Sequence, residues 1–347
     1  MSASSRRVLV LMGGRSSEHD ISLASARSVV EALRQSGHDV ASVEIGRDGR
    51  WSLASPFASD LPRSPSRLTE AVPFPSASAE VVRALASAEI VVPVLHGPFG
   101  EDGTVQGLLE LLDLPYVGSG VAASAVCMDK DLMKAVLRDR GIPVTRSVTL
   151  RHGDPAVHPF DYPVFVKPAR LGSSVGITKV RQSEELEPAV ALARRHDDKV
   201  LIEEYVPGIE VECSVLGNER PVASLPGEIV AHGFSGEDWY DYSAKYDQGG
   251  MDLIVPPRIP PEQVERVREI SVDAFVATEC EGMARVDCFV RPDGQVLVNE
   301  LNTIPGFTAT SVYARLFEAS GLPYTALLDR LIELALERHA RRSALRY

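Results

Sequence analysis

With 347 residues, 44% of them hydrophobic and 24% charged, the chain has the composition of a soluble globular protein and enough length for two or three lobes, each with its own core. A formal net charge of −12, without a dense Lys/Arg stripe interleaved with aromatics, argues against nucleic acid as a partner, because such a surface repels phosphate backbones. No apolar run reaches membrane-spanning length, MSASSRR leads into a short strand rather than a signal-peptide core, and Cys127, Cys213, Cys280 and Cys288 form no CxxC pair. A cytoplasmic protein with no membrane partner, no structural zinc and no redox pair is therefore expected.

In chain order, Arg7 to Met12 reads as a buried strand, Gly13 to Ser17 as a turn and Ile21 to Gln35 as an amphipathic helix stopped by Gly37. Pro56 to Ser78, rich in Pro and Ser and without periodicity, reads as a surface excursion with no assigned function. A second apolar run, Ile90 to Leu95, ends in the Gly-rich loop HGPFGEDG, and helical periodicity resumes over Val105 to Leu112. This pattern predicts a doubly wound α/β first lobe with loops at the strand ends, where ligands collect.

A second lobe opens near Ser119. It carries a helical stretch around Asp129 to Arg140, the strand YPVFVKP, the loop ARLGSSVG, a helix near Ser183 to Arg195 and the strand KVLIEEYV. From about Pro207 a third lobe follows, with a strand over Glu210 to Leu216, a polar stretch from Gly233 to Gly250 and a helix from Pro261 to Thr278. Its last strands, MARVDCFV and QVLVNELN, are joined at Pro292-Asp293-Gly294. The basic stretch His339 to Arg346 reads as a solvated helix end whose cations complement the dipole. There is no internal repeat, Walker A or GxGxxG motif.

Four groups of residues point to chemistry. Asp287 on one strand of the hairpin, with Glu300 and Asn302 two apart on the next, offers three hard oxygen ligands, a sparse set that suits a magnesium-nucleotide better than calcium; a solvated sheet face has the same pattern. Lys130 and Lys167 are candidates for phosphate contacts, the latter at the end of an apolar strand where an ammonium needs an anionic partner. GSSVG, with Ser173 and Ser174, has the composition of a loop that wraps phosphates, or of an ordinary Gly/Ser turn. KVLIEEYV followed by GIE offers backbone groups for an adenine edge and Glu210 for ribose hydroxyls.

Taken in order, GGRSSEHDISL, HGPFGEDGTVQGLLELLDLPYVGSG, MDKDLMK, VKPARLGSSVG, WYDYSAKY, ARVDCF and NELNTIPGFTATS resemble the D-alanine–D-alanine ligases of the ATP-grasp superfamily over nearly the whole chain. The resemblance implies an ATP-grasp fold of class α/β (α+β lobes). Its parts are an N-terminal doubly wound substrate-binding lobe at 1–118, a central lobe at 119–205 and a C-terminal lobe at 206–347 with the metal site and a mobile lid, ATP lying between the last two. By resemblance, ATP is held by Lys130, Lys167, Ser174 and Lys245, by Glu203, Glu204 and Val206 at the adenine hinge, and by Glu210 at the ribose. Asp287, Glu300 and Asn302 hold magnesium, two ions expected and manganese able to substitute. Glu18 and His96 lie at the first D-alanine, Arg285 and the Gly306 N–H form the oxyanion site, and Ser311 and Val312 receive the second carboxylate. Ser173 and Tyr246 complete a hydrogen-bonded triad with Glu18.

The activity so implied is ligation of two D-alanines through a D-alanyl phosphate, with release of ADP and phosphate, for peptidoglycan precursors, by a homodimer. Two departures stand out: Glu204 where some relatives have Lys, and the 56–78 excursion. D-lactate or D-serine as second substrate is the nearest alternative, and Tyr246 favours D-alanine because ester-forming relatives lack a tyrosine there. A nucleotide-binding regulator without turnover needs neither Arg285 nor Glu18. The base that deprotonates the second D-alanine is not visible in the sequence.

Overall fold

The computed structural model describes residues 5–54, 79–231 and 251–346. The Pro/Ser-rich excursion and the loop WYDYSAKY, with Lys245 and Tyr246, lie outside the described residues. The chain divides into two compact units, Met1–Gly118 with Ile304–Arg315 and Leu322–Tyr347, and Ser119–Thr303 with Leu316–Gly321.

In the first unit β1 (Arg7–Gly13) lies between β2 (Asp39–Ile45) and β4 (Ile90–Pro93), parallel to both, and β3 (Trp51–Leu53) pairs antiparallel to the outer side of β2. Val8, Leu9, Val10 and Leu11 are all buried. A strand covered on both faces reads as a continuous apolar run rather than an alternation, and this run is the first strand signal in the sequence. Leu9, Leu11, Val43 and Val91 share a core with Val81 and Leu85 of helix Ala79–Ser87 and Val105 and Leu109 of helix Thr104–Leu111. Helix His19–Gln35 packs on β1 and β2, and helix Tyr324–Ser343 packs on that helix and on β4. The stretch 206–347 is thus shared between the units: the last helix buries Leu327, Leu328, Leu331 and Ile332, and its Arg338 donates 2.8 Å to Tyr116 O and stacks over the Tyr116 ring.

The second unit holds two antiparallel sheets. The four-stranded sheet runs β5 (Ser147–Leu150), β8 (Val200–Glu204), β6 (Val164–Pro168), β7 (Thr178–Val180). Val164, Val166, Val200 and Ile202 join one core with Leu186, Val190 and Ala193 of and beside helix Leu186–Arg194, so strand alternation turns Phe165, Lys167 and Glu203 to the other face. The larger sheet runs β12 (Met251–Ile254), β11 (Gly227–Ala231), β9 (Ile209–Gly217), β13 (Gly282–Val290), β14 (Val296–Asn302), with β10 (Val222–Ala223) on β9. Its core face, with Val211, Cys213, Ala284, Val286 and Cys288, packs on helix Pro261–Ala277 through Val267, Ile270 and Phe275. Cys127 and Cys280 meet in this core at 3.6 Å, not joined in a disulfide, a juxtaposition their separation in sequence hides.

The pairing of β13 with β14 contains a bulge. Cys288 faces Val298 and Asp287 faces Glu300, leaving Asn299 without an opposite residue. Val296 and Val298 lie in the core, and strict alternation would bring Glu300 in after them; the extra residue resets the phase, so that Leu301 is buried and Glu300 and Asn302 face outward with Asp287 and Arg285. Removing the extra residue would leave Glu300 directly after Val298 and still outward, so the bulge lets β14 carry one more residue than β13 without exchanging its faces. Asn299→Ala, which keeps the extra residue, is expected to cost about 1 kcal/mol or less. A chemical-denaturant melt measures this, and a loss of several kcal/mol would show that the Asn299 side chain, rather than the extra backbone residue, carries the bulge.

Candidate active site

Within the second unit a cavity of about 190 Å³ opens between the two sheets. Its lining brings together Lys130, Lys167, Ser173, Ser174, Glu203, Glu204, Val206, Glu210 and Glu300, residues spread over 170 positions of sequence whose grouping the motifs alone do not show. Phe165, Ile177, Tyr205 and Phe289 make apolar walls, the surroundings a planar heteroaromatic ring needs. Tyr205 lies 6.3 Å from the Phe165 ring and carries Lys179 Nζ at 4.7 Å over its face.

Lys130 is the first residue of helix Lys130–Asp139, whose N-cap Asp129 accepts 3.2 Å from Leu132 N. A cation at a helix N-terminus opposes the dipole, so its place there calls for anionic company. It has Glu300 Oε2 at 3.2 Å and donates 2.7 Å to Leu171 O. Lys167 Nζ stands 2.6 Å from Glu203 Oε2 and 3.4 Å from the bulge residue's Asn299 Oδ1. Burial disfavours the Glu203 charge, but Lys134 and Lys167 outweigh it and hold this carboxyl below the usual range. The Glu204 carboxylate is taken by Arg146, at 2.6 Å to Nη2 and 2.7 Å to Nε. Ser173 and Ser174 adopt φ of +54° and +58°. Left-handed backbone costs roughly 1–2 kcal/mol per non-glycine residue, and strain of this kind concentrates where a loop serves a ligand.

On the larger sheet the outward face is ordered by register. Glu212 of β9, Asp287 of β13 and Glu300 of β14 stand in one row, and Ser214, Arg285 and Asn302 in the next. Carboxylates directly opposite one another repel, so the row requires cations. Arg285 supplies one, with Nε 2.7 Å from Asp287 Oδ1, Nη2 2.7 Å from Asp287 Oδ2, and Nε 2.9 Å from Glu212 Oε2. Burial works against its charge, but Asp287 and Glu212 prevail and raise the guanidinium well above its ordinary value. Asn302 Nδ2 donates 3.1 Å to Asp287 Oδ2. Among the described residues no three His, Cys, Asp or Glu side chains close on one point as a metal cage. The oxygen-only set on a repelling row does fit magnesium, which keeps waters and takes substrate phosphates as ligands.

In the first unit Glu18 is the buried N-cap residue of helix His19–Gln35. The loop after β4 closes on it: Gly97 has φ +74°, and a Cβ there would lie 2.5 Å from Glu18 Oε2. His96 is buried, with Nδ1 2.9 Å from Ile304 O and Nε2 3.3 Å from Ser25 Oγ. Glu101 accepts 2.7 Å from Gly97 N and 3.1 Å from Ile304 N, tying the same two loops. Ser311 Oγ accepts 3.0 Å from Thr308 N and lies 3.4 Å from where a Gly306 Cβ would stand; Val312 begins the next helix. Glu18, His96, Gly306, Ser311 and Val312 therefore share this unit, while Ser173, Arg285 and the metal candidates belong to the other.

Several cleft residues went unnoticed in the sequence although a signal was present. Phe165 is two before Lys167, Phe289 two after Asp287 and Glu212 two after Glu210, the spacing that puts strand residues on one face. Lys134 is one helical turn past Lys130. Asn299, Ser25 and Glu101 had no such signal, because a bulge and loop contacts create their roles.

Residues 7–119 match the family described as "D-ala D-ala ligase N-terminus" and residues 136–333 that described as "D-ala D-ala ligase C-terminus". The chain belongs to the D-alanine–D-alanine ligase family. The D-alanine–D-alanine ligase of Solibacter usitatus is 44% identical over 346 residues, 98% of each chain. The D-alanine–D-alanine ligase from Coxiella burnetii superposes with a TM-score of 0.81 at 38% identity, covering 98% of this chain and 97% of that one. The VanG D-Ala:D-Ser ligase from Enterococcus faecalis does so with a TM-score of 0.77 at 32% identity, over 96% and 100%. The fold of this D-alanine–D-alanine ligase family member is accordingly the ATP-grasp fold.

The contact between Gly97 and Glu18 generates a test. Gly97→Ala adds a methyl that must displace the Glu18 carboxylate and also strains a left-handed backbone. The expected result is a folded variant whose KM for D-alanine rises about tenfold or more while its KM for ATP stays within about twofold, tenfold corresponding to 1.4 kcal/mol. Steady-state kinetics in each substrate check this, and an unchanged KM for D-alanine would overturn the expectation that Glu18 lies at the first D-alanine.

Proposed function

We propose that this chain joins two D-alanine molecules into D-alanyl-D-alanine for peptidoglycan precursors, using ATP and passing through D-alanyl phosphate, with ADP and phosphate released. One observation carries the reading: the sheet face with the metal candidates continues into the cleft through Glu300, Phe289 and Glu210, and Arg285 stands on that face beside Asp287 and Glu212. A module that only bound nucleotide would need that arginine to offset the acidic row, but not the buried Glu18 pocket of the first unit.

A carboxylate is a poor electrophile, and phosphoryl transfer from ATP turns its oxygen into a leaving group. In this reading Phe165, Tyr205, Val206 and Phe289 enclose the adenine ring, Glu203 and Glu204 lie along the hinge, Glu210 accepts from the ribose hydroxyls, and Lys130, Lys167 and Ser174 hold phosphates. Asp287, Glu300 and Asn302 would hold magnesium, which neutralises phosphate charge when bound. Glu18 pairs with the ammonium of the first D-alanine, with His96 beside it, and Ser311 and Val312 receive the second carboxylate. When the second amine attacks, Arg285 and the Gly306 N–H meet the oxyanion, an interaction worth about 3–4 kcal/mol per donor in comparable enzymes. Phosphate then leaves.

The lobe division 1–118, 119–205 and 206–347 belongs to this proposal, supported by a cleft whose walls come from β6, β7 and β8 on one side and β9, β13 and β14 on the other. So do the homodimer and the cytoplasmic location; among the described residues no helix is long and apolar enough to cross a membrane. Lys245 and Tyr246, and with them the lid, enter the proposal on their sequence alone.

Purified protein with MgATP and D-alanine, L-alanine, D-serine or D-lactate, its products identified by mass, tests the reading; D-alanyl-D-alanine as the main product is expected, and preference for another partner would overturn it. Glu300→Gln should abolish most ligation without unfolding, since it removes a charge from the metal set; near-normal turnover at saturating magnesium would refute that role. Arg285→Lys should lower kcat by about a hundredfold with normal melting, because a point charge cannot replace the fork that spans Asp287, Glu212 and an oxyanion. Rapid-quench measurement of phosphate release would locate that loss.

A further inference from the structure

Lys134 has no part in the roles given so far, yet it is fully buried beside the nucleotide cleft. It sits one helical turn after Lys130, with Nζ 3.1 Å from Glu203 Oε1 and 3.3 Å from Thr145 O, and it also contacts Thr145 Oγ1. The other oxygen of Glu203 stands 2.6 Å from Lys167 Nζ. One buried carboxylate is thus divided between two ammonium groups, and the trio keeps one net positive charge where solvent screens little. Burial pushes Lys134 down to about 8 against the pull of Glu203, so the position taxes the charge it carries. A buried ion pair is a weak source of stability, since an apolar chain of similar volume packs as well.

We infer that Lys134 is a positioning residue for the nucleotide: by occupying Glu203 Oε1 it prevents that carboxylate from closing both oxygens on Lys167, whose ammonium then retains charge and donors for phosphate oxygens. The inference rests on the cleft being the ATP site of the proposed function. Without Lys134, Glu203 and Lys167 form a neutral pair and the attraction for phosphate falls.

The test uses the full-length protein with Lys134→Met, Glu203→Gln and the double variant. Calorimetric titration with ATP gives the dissociation constants, and steady-state kinetics give kcat and both KM values. Lys134→Met should weaken ATP binding about tenfold or more while KM for D-alanine moves less than about twofold. Adding Glu203→Gln, which frees Lys167, should bring ATP affinity back to within about threefold of that of Glu203→Gln alone. A folded Lys134→Met that binds ATP as wild type does, that weakens both substrates alike, or that is not rescued in the double variant overturns the inference. If Lys134→Met does not melt cooperatively, Glu203→Gln and the double variant decide: similar ATP affinities support it, and a further loss of about tenfold overturns it. A wild-type chain that binds ATP but makes no dipeptide would sink the proposed function while leaving these titrations to decide on Lys134.

Discussion

The outward face of the larger sheet depends on how β14 accommodates the one residue it carries beyond β13 opposite it. Because Asn299 is left over, Glu300 and Asn302 turn toward Asp287 and Arg285 while Val298 and Leu301 both remain in the core. A one-residue change of phase in a strand exchanges its two faces, so no side-chain adjustment substitutes for the bulge. The same leftover residue offers its amide oxygen to Lys167 across the cleft, so the device that orients the acidic row also touches the phosphate-binding side.

Around that face, charge is arranged in buried, mutually dependent sets. Glu212, Asp287 and Glu300 stand in line across three strands and are tolerable only with Arg285 and Lys130 beside them. Across the cleft Lys134 and Lys167 share Glu203. Neither set is balanced against solvent, and each retains the sign its proposed ligand complements: acid toward a metal ion, base toward phosphate. The apolar walls keep water from screening these charges.

The first unit solves a different problem, holding a carboxylate in a buried pocket at the start of a helix. Glu18 is presented by a helix start, where the dipole favours an anion, and Gly97 makes room for it by lacking a side chain. Glu101 and His96 bind the loop after β4 to the backbone of Ile304, which brings Gly306 and Ser311 into the same unit as Glu18 although nearly the whole second unit lies between them in sequence.

The sequence by itself determined several strands and helices, among them the first strand, the helix after it and the hairpin near the end, because their periodicities are local, and it determined the family, because an ordered set of motifs extends over nearly the whole chain. It also named Lys130, Lys167, Asp287, Glu300 and Asn302, residue types whose chemistry is readable without coordinates. Only the tertiary structure decided that Asn299 is a bulge, that Glu212 completes the acidic row, that Glu204 is spoken for by Arg146, that Cys127 meets Cys280, and that the last helix closes the first unit. The physical reason is common to all of these: register across strands and contact between distant segments are set by how whole faces pack, and no local pattern of residues encodes which partner a face will find.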